Sequence, residues 1–196
     1  MLAVVGTIPE DDFPLLCGRA EISPSGLRVE GKDIDVNRGT PALLAAACLM
    51  LQTLGREPPL AFLADEKAPH PFYTRGFILS EENKVPSLIT RAYAHANAAR
   101  YLLVKGRIDY VADSSGVLAT VDAPADEAME AVGGTGDTLT GVVSSLIESG
   151  LEVPRAAELA ARINRTAGAM SHPTPASQIM DIIPCLLEAY ELIKTP

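Results

Sequence analysis

Apolar residues recur along this chain in two rhythms, a period of two that marks strands and a period near 3.6 that marks helices. Residues 2–5 are a short apolar run closed by Gly6 and Thr7, as in a buried strand. Between 26 and 36, Leu27, Val29, Ile34 and Val36 flank Glu30-Gly31-Lys32-Asp33. Turn residues between two β-prone runs predict a hairpin. Thr40-Pro41 then opens a helix, with Thr40 as N-cap and proline in the first helical position. Residues 42–54 form its body and Gly55 its stop. This helix is apolar on almost every side (LLAAACLML), so burial all round is expected.

From 56 to 83 the pattern is broken by Pro58, Pro59, Pro69 and Pro71. A helical turn over 60–64 and a short strand over 76–79 are expected there. Residues 86–97 read as an amphipathic helix, with Leu88, Ile89, Tyr93 and Ala96 on one face. Three short strands follow over 101–104, 108–112 and 117–121. Lys105-Gly106-Arg107 and Asp113-Ser114-Ser115-Gly116 separate them, which predicts a small meander. A helix over 137–148 turns Leu139, Val142, Val143 and Leu146 inward and closes at Gly150. The next has Pro154 in its first turn and runs to about 169. A last helix begins near Pro175, and Pro184 kinks or splits it. Strands followed by helices, with no internal repeat, give an α/β class. A length of 196 residues suits one domain, 1–196.

Composition removes several classes of function. A net charge of −9 leaves no basic face for nucleic acid. Aromatic residues are 5% of the chain and tryptophan is absent, so stacking on exposed bases is not its main business. A small anion remains admissible where backbone donors surround it. Cys17, Cys48 and Cys185 form no C-x-x-C pair and are too few for a disulfide scaffold, which suits the reducing cytosol. The N-terminus lacks a basic n-region, and the most apolar stretch, 42–54, is too short to cross a bilayer. A cytoplasmic protein acting on a small molecule, with neither nucleic acid nor membrane as partner, is expected.

The chemistry concentrates in Gly133-Gly134-Thr135-Gly136-Asp137. Gly133, Gly134 and Gly136 let the backbone take positive φ and come close to a ligand. The turn runs into a helix whose first amides have no internal partner, and those amides with the helix dipole suit a phosphate. Thr135 adds a hydroxyl. Asp137, in the first helical turn, is placed to take a proton from a hydroxyl attacking a phosphoryl group. On residues alone the alternative stays open, a glycine-rich helix entry with Asp137 complementing the dipole. Neither G-x-G-x-x-G nor the Walker sequence is met.

Other candidates read as structural. His70, His95 and His172 share no metal-ligand spacing. Ser114-Ser115-Gly116 lacks the nucleophile elbow. Asp11-Asp12 and Glu81-Glu82 read as solvated pairs. Asn37-Arg38-Gly39 reads as a helix-entry turn, with contact between Arg38 and a substrate anion as its alternative.

The run GGTGDTLTG over 133–141 resembles the signature of the ribokinase-like superfamily, nearest the ATP/ADP-dependent NAD(P)H-hydrate dehydratases. Leu103-Val104-Lys105-Gly106 resembles the strand and Lys-Gly pair that precede that signature. Ala167-Gly168-Ala169 and Pro173-Thr174-Pro175 resemble the closing helices. The resemblance implies a three-layer α/β/α sandwich. It implies an anion hole from the amides of Gly134, Thr135 and Gly136, Asp137 as base, and Lys105 as a nucleotide contact. ATP or ADP with Mg²⁺ is the implied cofactor set. The implied reaction phosphorylates a hydroxyl and then loses phosphate to restore the nicotinamide double bond. A sugar, vitamin or thiazole-alcohol kinase is the alternative, and a non-catalytic nucleotide-binding subunit a third reading. The family's Thr-Pro-His/Asn segment is missing, and 60–66 resembles only the helix after it. Part of the central sheet is therefore expected to be absent near 56–60, and a homo-oligomer would cover the resulting edges.

Overall fold

The computed structural model describes residues 1–10, 12–23, 26–65, 85–94 and 99–194. His70, His95, Asp11, Glu81, Glu82 and the strand expected over 76–79 lie outside these residues, as do residues 95–97 of the helix expected over 86–97.

Two ladders organise the chain, one of five strands in the order β1-β5-β2-β3-β4 and one of three in the order β6-β7-β8. The strands of the first are β1 (Ala3–Ile8), β2 (Leu16–Ser23), β3 (Gly26–Val29), β4 (Lys32–Ile34) and β5 (Leu60–Asp65). Those of the second are β6 (Leu102–Val104), β7 (Asp109–Asp113) and β8 (Gly116–Val121). The helices are α1 (Thr40–Thr53), α2 (Val85–Ala94), α3 (Thr135–Glu148), α4 (Val153–Met170), α5 (Ile179–Ile182) and α6 (Cys185–Lys194).

The expected hairpin is β3–β4. Its turn is tighter than the sequence suggested, because Glu30 (φ 49°) and Gly31 (φ 80°) alone make the bend. Two consecutive positive φ values match the twist of the flanking strands. The expected helical turn over 60–64 is instead strand β5, which pairs parallel with β1 and antiparallel with β2. Its side chains alternate, Ala61 and Leu63 buried against Phe62 exposed, which is a strand's period and not a helix's. The reading of 60–66 as a relic of a family helix is corrected on the same ground.

Helix α1 is buried along nearly its whole length, as its composition requires. Its cap differs from expectation by one residue. Gly39, at φ 66° and ψ −146°, stands at the N-cap, and Thr40 begins the helix. Thr40 packs where β1 has no side chain, since a Cβ on Gly6 would collide with its hydroxyl. At the far end Gly55 takes φ 64°, the left-handed stop. A second close approach joins α1 to α3. A Cβ on Gly141 would strike the Leu43 carbonyl and come within 3.0 Å of the Ala46 Cβ.

Side chains of α1, α3, α4, α5 and α6 share one core with the inward face of the five-stranded sheet. On its other face Val5 is 82% and Phe62 40% exposed, side by side in the ladder. The small sheet is covered differently. Tyr110 and Ala112 pack against Val85 and Ile89 of α2, while the alternate residue Asp109 meets α4. The chain is thus mixed α/β, consistent with a ribokinase-like fold, with helices on both faces of the small sheet. As expected, Pro184 divides the last helix, so that α5 ends before it and α6 starts after it. No described helix is long and apolar enough to cross a membrane.

Candidate functional site

Residues 133–137 occupy the start of α3. Gly134 is its N-cap in a left-handed conformation (φ 94°), and Thr135, Gly136 and Asp137 make the first turn. Among the described residues, no group accepts a hydrogen bond from the amides of Gly134, Thr135, Gly136 or Asp137. Nothing lies within 4 Å of a Cβ built on Gly136, so the backbone there faces open space. Thr135 is buried, yet its hydroxyl has no partner among the described residues, and none of their fully buried side-chain polar atoms lacks one. The hydroxyl therefore reaches the surface.

Asp137 turns toward the loop between β4 and α1. Its Oδ2 accepts a hydrogen bond from the Gly39 amide at 2.8 Å. The same loop closes on the glycines from the side. A Cβ on Gly134 would stand 3.2 Å from the Asn37 carbonyl oxygen, 3.3 Å from Arg38 Cα and 3.1 Å from Ile179. Glycine is required at 134 by both its φ and its neighbours.

The turn is held from beneath by α4. Asn164 is buried, accepts from the Thr138 hydroxyl at 2.8 Å and donates to the Thr135 carbonyl at 3.1 Å. Sequence reasoning did not single out Asn164. Its signal was present, as one polar residue on a stripe of Ala156, Ala160, Ile163 and Ala167.

Lys105 lies elsewhere. With Gly106, Arg107, the segment 124–130, Asn164 and Arg165 it lines a cleft of about 550 Å³, and residues 133–137 are not part of its wall. Asn164 joins the two places, since it lines the cleft and binds the turn. Arg165 fixes the cleft's shape. It pairs with the buried Asp109 at 2.8 Å and donates to the carbonyls of Gly106 (2.8 Å), Arg107 (2.6 Å) and Pro124 (3.4 Å). Asp109 in turn accepts from the Gly106 amide at 2.9 Å. Gly168 lets Met129 on the opposite wall lie flat against α4. Neither Asp109 nor Arg165 was a sequence candidate, because charges on a short strand and an amphipathic helix look like solvated surface.

The remaining candidates behave as structure. Ser115 donates its amide and hydroxyl to Asp113 at 2.7 and 2.6 Å, locking the β7–β8 turn. These bonds hold the Asp113 carboxyl below its ordinary range. Burial pushes the Cys48 thiol up to about 12, and the three cysteines are free.

Comparison with known proteins gives the chain its relatives. An uncharacterized protein of Methanocaldococcus jannaschii is 44% identical over 133 residues, 67% of this chain and 57% of that protein. The bifunctional NAD(P)H-hydrate repair enzyme of Hyperthermus butylicus is 38% identical over 91 residues, 45% of this chain and 16% of that enzyme. The chain thus matches little more than half of the first relative's length and a small part of the second's. No solved structure matches it. The sequence profile of the carbohydrate-kinase-type NAD(P)H-hydrate dehydratases matches residues 76–187, a span that holds the glycine turn, Asn164 and every residue lining the cleft, and the chain belongs to that family.

Proposed function

We propose that the chain is an ATP- or ADP-dependent NAD(P)H-hydrate dehydratase, with the nucleotide phosphates over the start of α3 and Asp137 as base. One observation carries this reading within the matched family. Unpaired amides open to solvent at Gly136, with a carboxylate fixed beside them by the Gly39 amide. Amides so placed stabilise negative charge as it develops on a transferred phosphoryl group. The Gly39 bond occupies Asp137 Oδ2 and leaves Oδ1 to accept the proton of the substrate hydroxyl.

The hydroxyl oxygen then bonds the terminal phosphorus while the phosphorus–oxygen bond to the rest of the nucleotide breaks, its electron pair staying with the nucleotide. Departure of the new ester as phosphate, with loss of a proton from the adjoining ring carbon, restores the double bond. Hydrate and ATP thereby give NAD(P)H, ADP and phosphate. The cleft beside Lys105, shaped by Arg165, is open to the rest of the nucleotide. The described residues hold no cluster of three metal-ligating side chains. Mg²⁺ would arrive on the nucleotide, held by phosphate oxygens and water, and offset their charge.

The test is return of NADH absorbance when the purified chain meets NADH hydrate and ATP or ADP. Asp137→Asn is expected to slow it by about 10²-fold or more, the usual weight of a general base. A variant as fast as the parent would remove Asp137 from this role. The same fold serves a small-molecule kinase, and one observation favours keeping that reading. The loop 37–39 that meets the turn lies outside the matched span 76–187, so substrate contacts from the first half need not follow the dehydratases. A stable phosphorylated product would select the kinase.

A further inference from the structure

The loop Asn37-Arg38-Gly39 carries chemistry that the reading above leaves unused, and we propose that Arg38 binds the terminal phosphoryl group of the nucleotide. The inference rests on the nucleotide reading of the glycine turn and extends it to a residue outside the matched span.

A carboxylate beside a phosphate has an electrostatic problem, because the two repel each other in a site only partly open to water. A cation on the same side resolves it. The loop supplies one. The Gly39 amide is bonded to Asp137, and the backbones of Asn37 and Arg38 lie against Gly134. These contacts bring the Arg38 side chain alongside the turn, its Cδ standing 3.9 Å from where a Cβ on Gly133 would be. The guanidinium begins at the next atom. Arg38 is exposed and has no hydrogen bond or ion pair among the described residues.

The chain carries a net charge of −9, and several of its arginines are held by carboxylates. Arg19, Arg28, Arg155, Arg162 and Arg165 each meet a carboxylate. Arg38 does not pair with Asp137, although its neighbour Gly39 does. The arrangement keeps the carboxylate for a proton and leaves the guanidinium for an anion. A planar fork of donors fits two phosphoryl oxygens at once, which an ammonium does not. The terminal phosphoryl group would then lie between the amides of α3 and a cation contributed by the other half of the chain.

Calorimetric titration of ATP, ADP and AMP into the parent chain, Arg38→Ala and Arg38→Lys tests the assignment. Arg38→Ala is expected to weaken ATP about tenfold or more, the weight of a charge-assisted bond, and to leave AMP within about twofold. Arg38→Lys should fall between. The AMP arm matters because a merely structural loss would weaken both ligands. Equal losses for ATP and AMP, or an unchanged ATP affinity, would overturn the role of Arg38 while the nucleotide site stands. A parent chain that binds neither ATP nor ADP would overturn both. Arg38 lies on the surface, and Arg38→Gln, which keeps the side chain's length, serves should the alanine variant fold poorly.

Discussion

In the five-stranded sheet the side chains that stabilise are apolar and lie on one face, while Val5 and Phe62 stand bare on the other. In the three-stranded sheet β7 is buried on both faces, and one of its inward residues is the charged Asp109. The first ladder is held by burial and hydrogen bonding, terms that tolerate many sequences. The second is held by a side-chain network that ties Asp109, Arg165 and the 105–107 turn to α4, and the adjoining Asn164 ties α4 to the glycine turn. Polar networks of this kind specify geometry. A cleft and an anion-facing turn need that, and a supporting sheet does not.

The difference is sharpest on removing the charge. Asp109→Ala strands a guanidinium that is only 12% exposed and is expected to cost about 3–5 kcal/mol, read as a shift of the urea midpoint. A loss under about 1 kcal/mol would show the pair to be ornamental and the contrast false. Gly141→Val tests the joint between the two regions. Its side chain falls on α1 and should cost about 3 kcal/mol, again by urea midpoint. Asn164→Leu takes away the amide that the Thr135 carbonyl and Thr138 hydroxyl share and leaves them only their mutual 3.0 Å bond, for a loss of about 1 kcal/mol and weaker ATP binding by titration. Val5→Thr, on the bare face, should move the midpoint by less than about 0.5 kcal/mol. A larger shift would mean that the face is covered. The thiols give the mildest probe. Near pH 8 Cys17 should label freely, whereas Cys48, with its pKa raised to about 12 by burial, carries almost no thiolate and should label only on unfolding.

Elements whose pattern is local were legible in the sequence. The hairpin at Glu30-Gly31, the buried α1, the meander around β7, α3, α4 and the break at Pro184 each carry their own signal in turn residues, periodicity or proline. Strand β5 misled, because LAFLAD is too short for its period to decide and its pairing with β1 is set by residues far away in sequence. Strand β2 was passed over, since Arg19 and Glu21 keep its alternation but Gly18 and Ala20 leave its inward positions too small to read as an apolar row. Thr40 looked like a cap because glycine can replace a capping hydroxyl without any sequence signal beyond itself. In the site, residues 133–137 stood out by composition. Asn164, Arg165 and Asp109 did not, because their roles come from burial, which only the packed helices create.

The interposed position of β5 has a consequence for synthesis. β1 and β2 follow one another in the chain but share no ladder, and each pairs with β5. At roughly 5–20 residues per second, a ribosome displays β1 for some seconds before its mate exists, and β2 has only the β3–β4 hairpin to lean on. Until β5 leaves the exit tunnel both edges of β1 are open, and in the folded ladder β5 covers one of them while β1 stays at the end of the row. Joining β1 to the rest of the sheet is therefore a late event, fixed by the strand order and not by the strand's own sequence.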